Sequence, residues 1–202
     1  MRSVLMSVVV AAVAVVAPGL AHAQQESEPK VWIGGSLGLS PVGTLKAKIE
    51  AANLDASDDA AVAFQINGLI DFHVAQYVSI GFAPGIIFNV KGTNDDSSGS
   101  ELDLPIRVTL GGPVAPKIRM YGFVSPGYSI FFPPSDANTL GHPAGFMIGF
   151  GGGAGFRVAP GVMLTGELGY QFRFLSNTVN NVDFTLQDNY LTFAVGLVAA
   201  IH

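Results

Sequence analysis

The chain has 202 residues, no cysteine, ten Lys and Arg against fifteen Asp and Glu, and a mean hydropathy of +0.44 with only 12% charged residues. The lack of cysteine excludes disulfide staples and thiolate metal sites, and an acidic balance without a basic cluster argues against nucleic acid as a partner. Soluble domains carry about 25% charged residues, so the excess apolar surface here must meet something other than water.

The first segment reads as a targeting signal. Arg2 precedes the mostly apolar run Val4 to Ala17, followed by Pro18-Gly19 and then Ala21-His22-Ala23 before Gln24-Gln25. A charged start, a short apolar stretch and a small-x-small site predict a leader over 1–23 cleaved after Ala23, too short for an ordinary membrane helix. Removal of Arg2 with it leaves nine basic residues against fifteen acidic. Residues 24–30 then form a short periplasmic tail and 31–202 one folded domain.

Within that domain the apolar residues repeat every two positions. Leu102, Leu104, Ile106, Val108 and Leu110 point one way, and Glu101, Asp103, Pro105, Arg107 and Thr109 the other. The same holds for Val162 to Phe174, where Leu164, Leu168, Tyr170, Phe172 and Phe174 oppose Met163, Thr165, Glu167, Gln171 and Arg173. Successive side chains leave a strand on opposite faces, and these segments match the roughly 9–11 residues a tilted strand needs to cross a bilayer. The reading is an all-β fold, an eight-stranded antiparallel up-and-down transmembrane β-barrel.

In chain order the strands are expected at Val31 to Ser40, Ala61 to Asp71, Tyr77 to Lys91, Glu101 to Leu110, Ile118 to Phe132, Gly145 to Arg157, Val162 to Leu175 and Asn189 to Ile201. Short links at Phe72 to Gln76, Gly111 to Lys117 and Val158 to Gly161 alternate with longer polar ones at Pro41 to Ala60, Gly92 to Ser100, Pro133 to Ala144 and Ser176 to Asp188. Outer-membrane barrels have short periplasmic turns and longer outer loops, so the long set is expected outside and both termini in the periplasm. A soluble barrel would put charge on its water-facing side, whereas the second face of the sixth strand reads Met147, Gly149, Gly151, Gly153, Gly155, Arg157, which suits a crowded lumen. Two segments are ambiguous. Pro126-Gly127 interrupts the fifth strand and leaves its phase open, and Thr44 to Leu54 fits either a strand above the membrane or a helical turn. Phe82, Phe88, Tyr121, Phe123, Phe146, Phe150, Phe156, Tyr170, Phe172, Phe174, Tyr190 and Phe193 fit either interfacial girdles or plain lipid contact.

The run Glu101-Leu102-Asp103-Leu104-Pro105-Ile106-Arg107, a short turn, and Tyr121-Gly122-Phe123-Val124-Ser125-Pro126-Gly127-Tyr128 resemble the Leu-x-x-Pro and Gly-Pro-type strands of the small outer-membrane β-barrel domain family, itself similar to OmpA and OmpX barrels. The resemblance covers almost all of Lys30 to His202 and implies an outer-membrane location, contact with outer-membrane lipids and lipopolysaccharide, and insertion by the barrel assembly machinery. The chain departs from that pattern at its end, which reads Leu197 to His202 without the terminal aromatic the machinery often recognises.

Chemistry is sparse. The charges expected in the lumen are Asp71, Glu101, Asp103, Arg107, Arg157, Glu167 and Arg173; a lone charge there is costly, so they should pair across it, Arg107 with Glu167 first. Lipid A-modifying barrels use His with Ser, but His73, His142 and His202 have no serine at a motif-like spacing, Ser135 being seven residues before His142. Asp58-Asp59 and Asn94-Asp95-Asp96-Ser97 could offer oxygens to Ca²⁺ but lack the EF-hand spacing, and Gly149 to Gly155 lacks a Gly-Lys-Ser/Thr ending. The expected role is structural or surface-interacting, as a monomer without metal, cofactor or enzymatic activity, displaying polar loops to a surface partner. The alternative is an OmpW-like carrier of small apolar molecules, supported by the strand-six glycines and Pro126-Gly127.

Overall fold

A computed structural model describes residues 31–49, 54–134, 141–179 and 182–201; the expected leader, the tail, Ser135 and His202 lie outside them. Ten strands follow in order: β1 (Val31–Ile49), β2 (Leu54–Asp59), β3 (Ala63–Ala75), β4 (Val78–Phe82), β5 (Gly85–Val90), β6 (Gly99–Ala115), β7 (Ile118–Phe132), β8 (Ala144–Ala159), β9 (Val162–Val179) and β10 (Val182–Ile201). Every pairing is antiparallel, and β1 closes the ring by pairing with β10 from Val31↔Ile201 upward and with β3 from Val31↔Phe72 to Ser40↔Ala63. The wall has eight strand positions, because β4 and β5 are two halves of one and β2 rises above β3.

The split departs from the continuous strand expected over Tyr77 to Lys91. Pro84 has no N–H to give the ladder. Its carbonyl still accepts from the Gly68 N–H (2.8 Å), and the Ala83 N–H reaches Pro105 O (3.1 Å), so the wall stays shut across the break. Above it Asn89 takes a positive φ of 64° at a bulge, a conformation Asn tolerates, and its Nδ2 donates to Val62 O (2.7 Å). Pro126-Gly127, in contrast, causes no slip: Pro105 faces Gly127 and Val108 faces Val124 in one register, so β7 keeps a single phase.

Two of the expected long loops are mostly strand. β1 runs to Ile49 and returns as β2, and β9 and β10 run to Val179 and from Val182, so Thr44 to Ile49 forms no helical turn. The alternation persists there on one face only: Leu175, Phe184 and Leu186 are buried together beneath Ala47 and Phe131. A bulge between Leu39 and Val42 sets this up, since one extra residue flips the faces of β1 and turns Leu45 and Ala47 inward. At the opposite end the chain reverses in two-residue turns at 76–77, 116–117 and 160–161, tighter than the links expected there.

The wall is inside-out relative to a soluble protein. Leu37 is 68% exposed and Leu168 48%, while Arg173 and Glu101 are fully buried in the lumen. Phe64, Phe88, Phe146, Phe150, Phe174 and Phe193 also face outward. Tyr121, Phe123 and Tyr190 correct the sequence reading: alternation along β7 and β10 puts them on the inner face, in contact with the lumen charges.

Candidate functional site in the lumen

Inward positions come from the period of two, so β6 supplies Glu101, Asp103 and Arg107, β9 supplies Glu167, Gln171 and Arg173, and β10 supplies Asp188 and Tyr190. They gather into two clusters at different heights.

In the middle cluster the Arg107 guanidinium meets Glu167 through two parallel contacts, Nη2 to Oε1 at 2.7 Å and Nη1 to Oε2 at 3.1 Å. This forked geometry is the strong form of an arginine–carboxylate pair. Arg107 Nε also donates to Thr109 Oγ1 (3.3 Å), its guanidinium carbon lies 3.9 Å from the Phe123 ring centre, and the Tyr121 hydroxyl donates to Glu167 Oε1 (2.8 Å). The glycines of β8 make room for those rings. A Cβ on Gly153 would sit 2.9 Å from the Tyr121 ring and 2.7 Å from Gly166 O, so that position admits no side chain without displacing Tyr121.

The second cluster surrounds Arg173, nearer the long-hairpin end. Its guanidinium contacts three carboxylates: Asp103 (Nη2 to Oδ2, 2.7 Å), Asp188 (Nη1 to Oδ1, 2.8 Å) and Glu101 (Nε to Oε2, 3.3 Å). Gln171 Oε1 accepts from Nη2 at 2.6 Å, and the Tyr190 ring centre lies 5.6 Å away. Arg173, Glu101 and Asp188 side chains are fully buried. An apolar roof lies over them, made of Leu175, Phe184 and Leu186 on one side and Ala60, Ala63, Ile87, Val90 and Tyr190 on the other, with Phe131 packed against both.

Toward the short-turn end Asp71 is buried and accepts from the Ser79 hydroxyl (2.6 Å), near an apolar plug of Trp32, Met163 and Val198. Arg157 shares the inward phase but is exposed beside the β8–β9 turn, because the strand has left the barrel's interior there. Of the residues expected to be in the lumen, the structure thus joins Arg107 with Glu167, and Glu101 with Asp103 and Arg173; Asp71 lies apart.

The sequence reading missed Asp188, Gln171, Tyr121, Phe123, Tyr190 and Arg119, whose Nη2 donates to Gly111 O (3.3 Å). Asp188 has a signal: Phe184, Leu186, Asp188 and Tyr190 continue one alternation, which a strand starting at Asn189 cuts short. It also missed Ser79, which faces His73 across the β3–β4 ladder. That serine is fully buried and its hydroxyl is donated to Asp71, which leaves no accessible nucleophile there. His142 packs against Phe132 with ring centres 5.2 Å apart and the planes tilted by 53°.

Among the described residues no group of three or more His, Asp or Glu is arranged to hold a metal ion. The two acidic loop segments instead meet each other: Asp58 accepts from Asn94 Nδ2 (3.3 Å) and Thr93 Oγ1 (3.4 Å), and Asp95 Oδ2 accepts from the Gly92 N–H (2.9 Å). Between the two arginine clusters the lumen holds a cavity of about 70 Å³, lined by Ser36, Gln65, Asn67, Thr165, Gln171 and Thr192 among others. A larger apolar groove of about 880 Å³ is lined mainly by outward residues such as Leu37, Leu39, Phe64, Leu168, Phe193 and Val195 and belongs to the lipid face.

A family profile described as outer membrane protein beta-barrel domain matches residues 8–200. Among solved structures, the fold is similar to OprG from Pseudomonas aeruginosa (TM-score 0.57, 13% identity, 85% of this chain and 95% of that one). It is also similar to the outer membrane protein AlkL in lipid bilayers (0.53, 13%, 90% and 94%) and to Neisserial surface protein A (0.51, 12%, 85% and 97%). At these identities the likeness is one of fold. No curated protein matches the sequence significantly.

Proposed function

The chain belongs to the outer membrane protein beta-barrel domain family, and from that premise we propose that it is a closed barrel acting through surface contacts at its long-hairpin end, not through its lumen. The observation that carries this reading is the filled interior. A cavity of about 70 Å³ has space for a few waters and not for a solute of any size. It lies between an arginine–glutamate fork and an arginine held by three carboxylates, and both would have to come apart for a solute to pass. An eight-stranded barrel is of the size that side chains fill. What remains for recognition is the end where β1, β2, β9 and β10 rise beyond the shared wall.

The long-hairpin end faces outside on this reading, with the two-residue turns in the periplasm and a cleaved leader behind them. The cysteine-free chain allows a clean test. A cysteine at Thr93 should react with a membrane-impermeant maleimide on intact cells, and one at Lys117 only after the outer membrane is opened; the reverse pattern overturns the orientation. In planar bilayers the protein should give no steady open level, and a stable channel would sink the closed-lumen reading.

A second reading, lateral passage of a small apolar solute, draws support from three neighbouring strand positions that carry proline near one level: Pro84 between β4 and β5, Pro105 on β6 and Pro126 on β7. The lumen cavity behind that level is small, about 70 Å³, so this reading requires the wall and the Arg107–Glu167 fork to open together. Uptake of an apolar dye into vesicles, faster than in protein-free controls, would favour it over the first.

A further inference from the structure

The rising sheet has an open edge. β2 pairs with β1 from Thr44↔Asp59 to Ile49↔Leu54, and among the described residues no strand pairs with its other side. β5 stops below it: the last bridge is Ala60↔Gly92, after which the chain turns away toward β6.

The direction of each backbone group follows from two hydrogen bonds. The Ala60 N–H donates to Gly43 O (2.9 Å), toward β1, whereas Asp59 O accepts from the Thr93 N–H (2.9 Å) on the opposite side. In an antiparallel ladder the N–H and C=O of one residue point to the same side and alternate from residue to residue. Asp55 and Ser57 therefore share Asp59's side. The Thr93 N–H takes the Asp59 carbonyl, and the Asp59 N–H donates to Asp58 Oδ1 (2.8 Å). Among the described residues, that leaves the N–H and C=O of Asp55 and of Ser57 as a run of edge groups with no ladder partner.

Charge selects what can pair there. Asp55 and Asp59 are exposed on one face of β2, and Asp95 and Asp96 are exposed at its base. Lys48 lies opposite Asp55 on β1, but Asp59 lies opposite Thr44. A second copy is a poor occupant: antiparallel self-pairing centred on Ser57 sets Asp55 of each chain against Asp59 of the other, and like charges directly opposite are destabilising. A strand with cationic side chains at alternate positions meets no such penalty.

We propose that the Asp55–Asp59 edge of β2 is a strand-addition site for an extended, lysine- or arginine-rich segment of a partner protein. This names the partner class for the outward-end reading and rests on it. Main-chain hydrogen bonds to Asp55 and Ser57 supply the pairing, and the aspartates supply the selectivity.

The test uses the full barrel in lipid vesicles, with synthetic (Lys-Thr)₄ as the probe and (Glu-Thr)₄ as its control. The cationic peptide should bind and the acidic one should not. Ser57→Pro removes an edge N–H that β1 does not use, leaves every charge in place, and should weaken binding up to roughly tenfold, the loss of one hydrogen bond. Asp55→Asn with Asp59→Asn should weaken it severalfold and flatten its salt dependence. A (Lys-Thr)₄ peptide N-methylated at alternate residues probes the same bonds from the ligand side without altering the protein, and should lose binding equally. Retained affinity in Ser57→Pro together with retained affinity of the N-methylated peptide would show plain charge attraction and overturn strand addition, as would absence of binding by the parent. The maleimide and bilayer measurements report separately on the outward-end reading, so either can fail alone.

Discussion

The two arginines of the lumen are held in different ways. Arg107 has one carboxylate, an aromatic floor and a polar cavity beside it, and the Arg107 and Glu167 side chains are 9% and 16% exposed. Arg173 has three carboxylates, an apolar roof and no exposed atom of its own. A forked pair at the edge of a polar cavity with room for water can exchange partners with it at modest cost. A guanidinium among three buried acids, two of them with no exposure, has no such alternative, because removing it leaves like charges facing one another in a medium that screens them poorly. The middle cluster is thus the part of the lumen able to rearrange, and the Arg173 cluster is the part that fixes β6, β9 and β10 against each other.

The largest expected effect tests that ranking directly. Arg173→Met should destabilise the barrel by about 3–5 kcal/mol or prevent folding, since it strands Glu101, Asp103 and Asp188; urea unfolding from lipid vesicles measures it, and a loss below that of Glu167→Gln would invert the ranking. Next comes Leu168→Arg, which puts a charge into lipid one residue from Glu167. It should cost about 2–4 kcal/mol near the bilayer midplane, and folding as good as the parent's would mean that the wall's two faces are exchanged. Glu167→Gln keeps the volume but removes the charge under Arg107, for about 1.5–3 kcal/mol, the scale of a charge-assisted hydrogen bond. The smallest is Leu168→Ala, which opens no packed core and should cost less than about 1 kcal/mol; a value in the range of about 2–5 kcal/mol seen for buried leucine would place Leu168 inside protein.

Much of this was legible in the residues themselves. An alternation with charge on one side and Leu, Ile and Phe on the other specifies strand, phase and which face meets lipid, because the pleat fixes direction locally. It was enough to pair Arg107 with Glu167, both mid-strand on the inner face, and to read the β8 glycines as signs of crowding. The roles of Tyr121, Phe123 and Tyr190 were not legible, since an aromatic suits either face of a barrel wall and Pro126-Gly127 left the phase of β7 open; the unshifted register sets Tyr121 and Phe123 inward, and Gly151 and Gly153 leave them room beside the arginine.

The sequence by itself determined the class of fold, the number of wall strands and the two faces, all of which follow from a period of two and the lengths between turns. The tertiary structure decided the rest. Whether Pro84 breaks a strand and Pro126 does not depends on which neighbouring groups satisfy the ladder across the gap, Gly68 and Pro105 in the first case and an unshifted register in the second. That Asp188 reaches Arg173 depends on β10 starting well before Asn189, so that Asp188 lies opposite Arg173 in the β9–β10 register, where polar composition alone reads as loop. That β2 ends with an open edge depends on β5 stopping at Val90. Each is a matter of what lies beside a strand, and a strand's neighbours are set by ring closure and register rather than by its own residues.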